Sequence, residues 1–115
     1  MLRGEIWQVD FGPSRGSEAS KSRPAVVVSN DRANTTAARL GRGVVTVVPI
    51  TSNVVTVYPF QVLLPAATTG LAVDSKAQAE QIRSVAVERM RRRLGRISPT
   101  ELARLDDALR LHLEL

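Results

Sequence analysis

Apolar residues alternate with polar ones near the start of the chain and run together in three later segments. Trp7, Val9 and Phe11 recur at every second position of segment 4–11, which predicts a strand with one buried face. Segments 24–29, 43–50 and 58–64 are rich in β-branched and aromatic residues, which is typical of strands buried on both faces. We therefore expect a sheet of several short strands.

The segments between these strands carry turn signals. Segment 12–22 is rich in Gly, Pro, Ser and charge and predicts a long loop, while segment 30–41 has a weak helical tendency of one or two turns. Segment 66–70 predicts a turn. Pro49 cannot donate a backbone hydrogen bond, so the strand over 43–50 should end there or lie at a sheet edge. We expect a short helical turn and a further short strand within 89–97.

The last segment predicts a helix of about 15 residues. Ser98 is placed as the N-cap, Pro99 as the first helical residue and Glu101 three residues beyond the cap. Leucines repeat at intervals of three and four and form one apolar stripe: Leu102, Leu105, Leu109 and Leu113. Short strands followed by one terminal helix predict an α+β domain around a small, strongly bent antiparallel β-barrel.

The length and composition indicate one domain spanning residues 1–115. The 115 residues are 43% hydrophobic, which suits a packed globule. No apolar run approaches the ~20 residues of a membrane span, and the first residues show no signal-peptide pattern. Because the chain has no cysteine, there is no disulfide framework, and we expect a cytoplasmic protein without a membrane partner.

The charge points to an acidic partner. Lys and Arg total 16 against 11 for Asp and Glu, a net charge of +5, and every basic residue except Lys21 and Lys76 is arginine. The planar guanidinium binds phosphate with paired hydrogen bonds that lysine cannot make. Arginine bias alone would equally suit a GC-rich genome, but the net charge favours nucleic acid or an acidic protein segment.

Several catalytic classes can be set aside from the sequence. His112 is the sole histidine and falls on the predicted terminal helix, so a two-histidine ribonuclease cannot be built from one chain. Asp106 and Asp107 are adjacent on that helix and point in different directions. No spacing suggests convergent metal ligands. We therefore expect a reaction that uses neither a metal nor a cofactor.

Five ordered motifs carry a family resemblance. They are Gly4-Glu5-Ile6-Trp7, Lys21-Ser22-Arg23-Pro24, Val48-Pro49-Ile50-Thr51-Ser52, Tyr58-Pro59-Phe60-Gln61-Val62 and Glu80-Gln81-Ile82-Arg83. Together they resemble the MazF/PemK (Kid) family of toxin endoribonucleases. The resemblance implies an SH3-like (CcdB/PemK-type) antiparallel barrel with a C-terminal helix, a strand over 76–85, and a two-fold homodimer.

The resemblance also implies a catalytic pair. The arginine before proline and the threonine after the central strand match Arg23 and Thr51. RNA supplies its own nucleophile, the 2′-hydroxyl, so the protein must align it, stabilise phosphoryl charge and move protons. Glu18 is our prediction for the proton acceptor, because arginine is a poor base. The family assignment gives this transfer to arginine, and Glu18 could equally order the loop.

Binding residues and partners complete the prediction. The residues expected to bind single-stranded RNA are Phe11, Arg15, Ser17, Lys21, Ser52, Asn53 and Gln81. The family implies an acidic, MazE-like antitoxin that folds on the basic groove. We assign only a general electrostatic role to the basic run Arg89, Arg91, Arg92, Arg93 and Arg96. Alternatives are a non-enzymatic toxin such as gyrase-binding CcdB, or a nucleic-acid-binding barrel without turnover.

Overall fold

The computed structural model describes residues 1–13, 16–17 and 21–115. Within these residues the strands are β1 (Glu5–Asp10), β2 (Ser22–Val27), β3 (Val44–Thr51), β4 (Gln61–Leu64), β5 (Ser75–Gln78), β6 (Arg83–Ala86) and β7 (Met90–Arg96). The helices are α1 (Asp31–Leu40), the single turn α2 (Ala66–Thr69) and α3 (Pro99–Leu113). Two 3₁₀ turns, Ala79–Gln81 and Val87–Arg89, precede β6 and β7.

The strands form one antiparallel sheet in the order β4-β5-β3-β2-β1-β7. The long strand β3 has two partners on the same side: β6 pairs with Val44–Val47, and β5 pairs with Ile50 and Thr51. The α+β class is therefore confirmed. Among the described strands the pairing runs from β4 to β7 without closing into a ring.

Pro49 corrects the prediction that the strand ends there or lies at an edge. It lies inside β3, opposite Ala25 of β2, and β3 continues to Thr51. Val28 N–H donates to the Thr46 carbonyl, so the backbone groups of Thr46 face β2. Because the backbone groups of successive residues face opposite neighbouring strands, the nitrogen of Pro49, three residues later, points away from β2. On that side β3 changes partner from β6 to β5, so the missing N–H falls between the two pairings.

The sheet is buried on both faces, as predicted for its central strands. Successive side chains of β2 enter two different cores: Val26 packs in the first, and Ala25 and Val27 pack in the second, all at 0% exposure. The first core contains Leu105 and Ala108 of α3, and the second contains Ala37 of α1. The sheet thus has a first-core face covered by α3 and a second-core face covered by α1.

The terminal helix begins where the sequence predicts. The Ser98 side chain accepts from Glu101 N–H and the Glu101 carboxylate accepts from Ser98 N–H, so the capping box is formed. Glu101 is buried and also accepts a hydrogen bond from the Thr68 hydroxyl at 2.9 Å, which ties α2 to α3. Leu105 is fully buried, whereas Leu113 is 46% exposed and lies beyond the core.

Four segments differ from their predicted structure. Segment 30–41 forms the ten-residue helix α1, longer than the one or two turns predicted. The predicted strand 58–64 is limited to β4, with Tyr58 and Phe60 stacked before it. Segment 66–70 contains α2 and not only a turn. Segment 76–85 is divided between β5, a 3₁₀ turn and β6, because β6 pairs with the first half of β3 and β5 pairs with its end. No helix in the described part of the chain is long and apolar enough to cross a membrane.

Candidate active site

Pro24 ends the pairing between β2 and β3 and so opens the candidate site. Phe11 N–H donates to the Lys21 carbonyl, so the backbone groups of Lys21 face β1. Because the backbone groups of successive residues face opposite neighbouring strands, the nitrogen of Pro24, three residues later, points toward β3. Since Pro24 has no N–H, the ladder reaches only Ala25 opposite Pro49. Beyond this point the ends of β2 and β3 are free to line a cleft.

The cleft brings Arg23 and Thr51 together. It has a volume of about 340 Å³, and its lining residues are Arg23, Pro24, Ile50, Thr51, Ser52, Leu71, Ala72, Val73 and Ser75. Arg23 lies opposite Val9, and Thr51 follows Val47 and Pro49 at even spacing, so both occupy the second-core face of the sheet. Both side chains are partly exposed. A guanidinium and a hydroxyl thus line one opening.

The hydroxyl of Thr51 already takes part in the local turn. Its Oγ1 accepts from Asn53 N–H at 3.3 Å, and Asn53 Oδ1 accepts from Val55 N–H at 3.2 Å. Because a hydroxyl can accept and donate at once, this contact fixes Thr51 and leaves its O–H proton available to a ligand. Ser52 and Asn53 are exposed beside the cleft.

The described part of the 12–22 loop contacts the 3₁₀ turn before β6. Gln81 Nε2 donates to the Ser17 carbonyl at 2.8 Å, which brings two of the predicted RNA-binding residues together. Lys21 is exposed and has a φ of +60°, in the left-handed region. Two predicted site residues, Arg15 and Glu18, lie outside the described residues.

Phe11 does not have the exposure expected of a base-contacting ring. It is 3% exposed and packs in the second core. The guanidinium of Arg83 lies over its ring, 5.3 Å from the centroid. The buried position argues against the prediction that Phe11 contacts a base, because the faces of the ring are covered by the protein itself. The alternation of Trp7, Val9 and Phe11 predicts that Phe11 lies on the buried face of β1. Its exposure follows this alternation and not its position at the base of the loop.

The far wall of the cleft and the buried lysine beside it leave no pattern in the sequence. Leu71, Ala72 and Val73 follow α2, and they reach the cleft through packing that no local pattern reveals. Lys76 lies opposite Thr51, is 7% exposed, and donates from Nζ to the Thr56 carbonyl at 2.6 Å. Its ammonium is also 5.8 Å from the Tyr58 ring centroid, so it holds the segment that follows Thr51.

The basic run lies on and next to β7 and pairs with carboxylates of β1. Arg93 Nε is 3.0 Å from Glu5, and Arg91 Nη2 is 3.1 Å from Asp10. A hydrogen bond from Gly12 N–H, followed by the one from Arg91, holds the pKa of Asp10 below its usual value. These contacts show that part of the run stabilises the edge of the sheet.

Two further observations bear on the chemistry of the site. His112 is exposed near the end of α3 and takes no part in the cleft. Across the residues that the structure describes, no group of three or more His, Cys, Asp or Glu side chains is arranged to hold a metal ion.

Comparison with known proteins agrees with this architecture. A family model described as PemK-like, MazF-like toxin of type II toxin-antitoxin system matches residues 2–113. Endoribonuclease MazF9 of Mycobacterium tuberculosis is 73% identical over 115 residues, which cover 100% of this chain and 98% of that protein. Endoribonuclease MazF6 of the same species is 35% identical over 114 residues, 98% of this chain and 96% of that protein.

Solved structures show the same fold. MazF of Deinococcus radiodurans superposes with a TM-score of 0.78 at 27% identity, covering 100% of this chain and 97% of that chain. A MazE-MazF structure from the same organism gives a TM-score of 0.74 at 25% identity and covers 100% and 96% of the two chains. The motifs, the cleft at the end of β2 and these similarities agree, and the chain belongs to the PemK/MazF-like family of toxins of type II toxin-antitoxin systems.

Proposed function

We propose that this chain is a sequence-specific endoribonuclease that cuts single-stranded RNA and acts as the toxin of a toxin–antitoxin pair. Its relatives of 73% and 35% identity are named endoribonucleases. The observation that carries the proposal is the cleft lined by Arg23 and Thr51 at the point where Pro24 ends the sheet ladder. An arginine held at a strand end is suited to bind a phosphate in one orientation.

The proposed reaction uses the RNA 2′-hydroxyl as the nucleophile. Its oxygen attacks the adjacent phosphorus, the bond to the 5′-oxygen of the next nucleotide breaks, and the products are a 2′,3′-cyclic phosphate and a 5′-hydroxyl. Arg23 stabilises the charge that develops on the phosphoryl oxygens, and Thr51 donates a hydrogen bond to one of them. Glu18 is proposed to accept the proton of the 2′-hydroxyl, and the departing 5′-oxygen takes a proton from water. Because the nucleophile comes from the substrate, the reaction has no need of a metal.

Six residues are proposed to bind the RNA. They are Arg15, Ser17, Lys21, Ser52, Asn53 and Gln81. Ser52 lines the cleft, and Asn53 lies in the turn that follows it. Short polar side chains at loop tips can bind the edges of unpaired bases, which suits recognition of a short sequence in single-stranded RNA.

The proposed partners follow from charge and from the family. The net charge of +5 suits an acidic, MazE-like antitoxin that occupies the basic surface and blocks RNA. A related MazF has been solved together with MazE. We also propose that the chain forms a homodimer, that it is located in the cytoplasm, and that its sheet corresponds to the SH3-like barrel of the family.

The experiment that tests the proposal is cleavage of a long single-stranded RNA by the purified protein. We expect discrete fragments from the unaltered protein, a rate reduced by roughly 10²–10³ for Arg23→Ala, and full activity for Arg104→Ala, which removes one charge from α3. Excess EDTA should leave the rate unchanged. If intact RNA is recovered from every sample, the nuclease proposal is wrong. Inhibition of gyrase in that case would favour the CcdB-like alternative.

A further inference from the structure

Arg83 is a basic residue in the same sheet as Arg23 and Thr51, and the proposed mechanism does not use it. It lies at the start of β6, opposite Val47 of β3, which packs in the second core. Paired residues of an antiparallel ladder project to the same face, so Arg83 shares the second-core face with Arg23 and Thr51. The two arginines therefore lie on one face of the sheet.

Phe11 links Arg83 to the cleft. Phe11 N–H donates to Lys21, and Val9 lies opposite Arg23, so Phe11 and Arg23 are diagonal neighbours whose Cα atoms are about 7–8 Å apart. The Arg83 guanidinium is 5.3 Å from the Phe11 ring centroid. The buried ring of a residue diagonal to Arg23 thus holds the Arg83 guanidinium through a cation–π contact.

Arg83 forms no ion pair within the part of the chain that the structure describes. The ion pairs formed there use Arg3, Arg89, Arg91, Arg93 and Arg110, and none includes Arg83. The nearby Glu80 directs its Oε2 to Gln61 Nε2 at 2.6 Å. Arg83 is partly exposed and lines a pocket of about 270 Å³ together with Glu80, Ile82 and Gln81, the last of which is one of the predicted RNA-binding residues.

We propose that Arg83, held on the ring of Phe11, forms a second phosphate-binding site for the RNA strand, next to the catalytic cleft. The Phe11 ring offers no oxygen or nitrogen acceptor, so the N–H groups of Arg83 remain for the paired hydrogen bonds that a phosphate accepts. The ligand is a backbone phosphate other than the one that is cut. The inference rests on the proposed function, because it takes the same RNA strand as its ligand.

The first test measures RNA binding as a function of salt. The probe is a single-stranded RNA that contains the mapped cut site, or a mixed-sequence strand if none is found, with 2′-deoxyribose at the cut position. For Arg83→Met we expect affinity to fall about threefold to tenfold and the slope of log K against log[salt] to decrease in magnitude by about 0.7. Arg104→Met, which removes the same charge from α3, should leave the slope unchanged, and Arg83→Lys should retain it.

The second test identifies the phosphate and separates a contact from a structural effect. Methylphosphonates, which carry no charge, replace the phosphates of the probe one at a time. One substitution away from the cut site should weaken binding by the unaltered protein and by Arg83→Lys, and should have no effect on Arg83→Met. At saturating RNA, kcat of Arg83→Met should stay within about twofold of the unaltered protein while KM rises.

Two results would overturn the proposal. One is a salt slope for Arg83→Met equal to that of the unaltered protein, together with a lower kcat, which would make Arg83 a support for the loop only. The other is a methylphosphonate profile identical in Arg83→Met and the unaltered protein. Failure of the proposed function is distinguishable, because it would appear as absence of cleavage by the unaltered protein, whereas the binding assays need no cleavage.

Discussion

Gly95 offers the sharpest test of how the fold supports the cleft. It lies in β7, where a Cβ atom added to its backbone would be 2.1 Å from the Thr69 carbonyl oxygen and 3.5 Å from Gly70 Cα. Here α2 packs directly on the edge strand. The next residues, Leu71 to Val73, form one wall of the cleft. Replacing Gly95 with alanine must therefore move α2, and the cleft wall with it.

The magnitude follows from the size of the overlap. Ordinary contacts start near 3.4 Å, so the backbone of Thr69 or of Gly95 has to move by more than 1 Å. Because the added atom meets backbone rather than a flexible side chain, the cost lies at the upper end of the overpacking range, about 3 kcal/mol, against a gain of roughly 0.4–1 kcal/mol from the less flexible unfolded chain. We expect Gly95→Ala to lower the free energy of unfolding by about 2 kcal/mol and Tm by roughly 6–12 °C.

The assay is urea and thermal unfolding, with Gly41→Ala as the matched control. Gly41 ends α1 with a φ of +66°, and a Cβ there would meet no atom within 4 Å. Gly41→Ala should therefore lower the free energy of unfolding only through the strain of a left-handed alanine, about 1 kcal/mol. Gly95→Ala should also reduce RNA cleavage, and Gly41→Ala should not. A Gly95→Ala protein as stable as the Gly41→Ala protein would refute the reasoning.

Two further predictions concern stability. Burial raises the pKa of Glu5, but hydrogen bonds from Leu2 N–H and Trp7 Nε1 and the charge of Arg93 outweigh it, so the pKa is lowered on balance. The ionised carboxylate therefore stabilises the fold above the unfolded pKa of about 4.3, and this contribution is lost as the pH falls through the folded pKa. Glu5→Gln should thus be less stable than the unaltered protein at pH 7, with the difference vanishing toward pH 3; a constant difference would contradict this. Leu105→Ala, at a site with 0% exposure, should cost about 2–5 kcal/mol in chemical denaturation, and Leu113→Ala, at 46% exposure, less than about 0.5 kcal/mol; equal losses would contradict the assigned core.

The elements that the sequence predicts well are those specified by neighbours along the chain. The capping box at Ser98 and Glu101 marks the start of α3 because it consists of local hydrogen bonds. The apolar runs indicate β2 and β3 because burial on both faces requires continuous apolar residues.

The elements that the sequence predicts poorly depend on distant partners. Segment 76–85 is divided because β5 and β6 pair with successive parts of β3 on the same side. Pro49 is tolerated because β3 changes partner beside it. Neither fact leaves a local pattern. A prediction from residue type alone cannot anticipate either arrangement.

The candidate site divides in the same way. Arg23 and Thr51 are predicted from motifs at strand ends, and the structure brings them to one cleft. Phe11 was misinterpreted because its position beside the loop suggested exposure, whereas its ring packs under Arg83. The proposed role of Arg83 depends on its pairing with Val47, which sets the face of the sheet on which it lies. Side-chain direction across strands needs the register, which the sequence does not supply.

The central claim is that Arg23 and Thr51 direct the RNA's own 2′-hydroxyl at the adjacent phosphate. The most direct measurement uses two oligonucleotides that contain the mapped cut site and differ only in the 2′-hydroxyl at that position. We expect equal binding of both, cleavage of the all-RNA strand to a 2′,3′-cyclic phosphate end identified by mass spectrometry, and no cleavage of the 2′-deoxy strand. Cleavage of the 2′-deoxy strand, or a 3′-hydroxyl at the new end, would contradict the account.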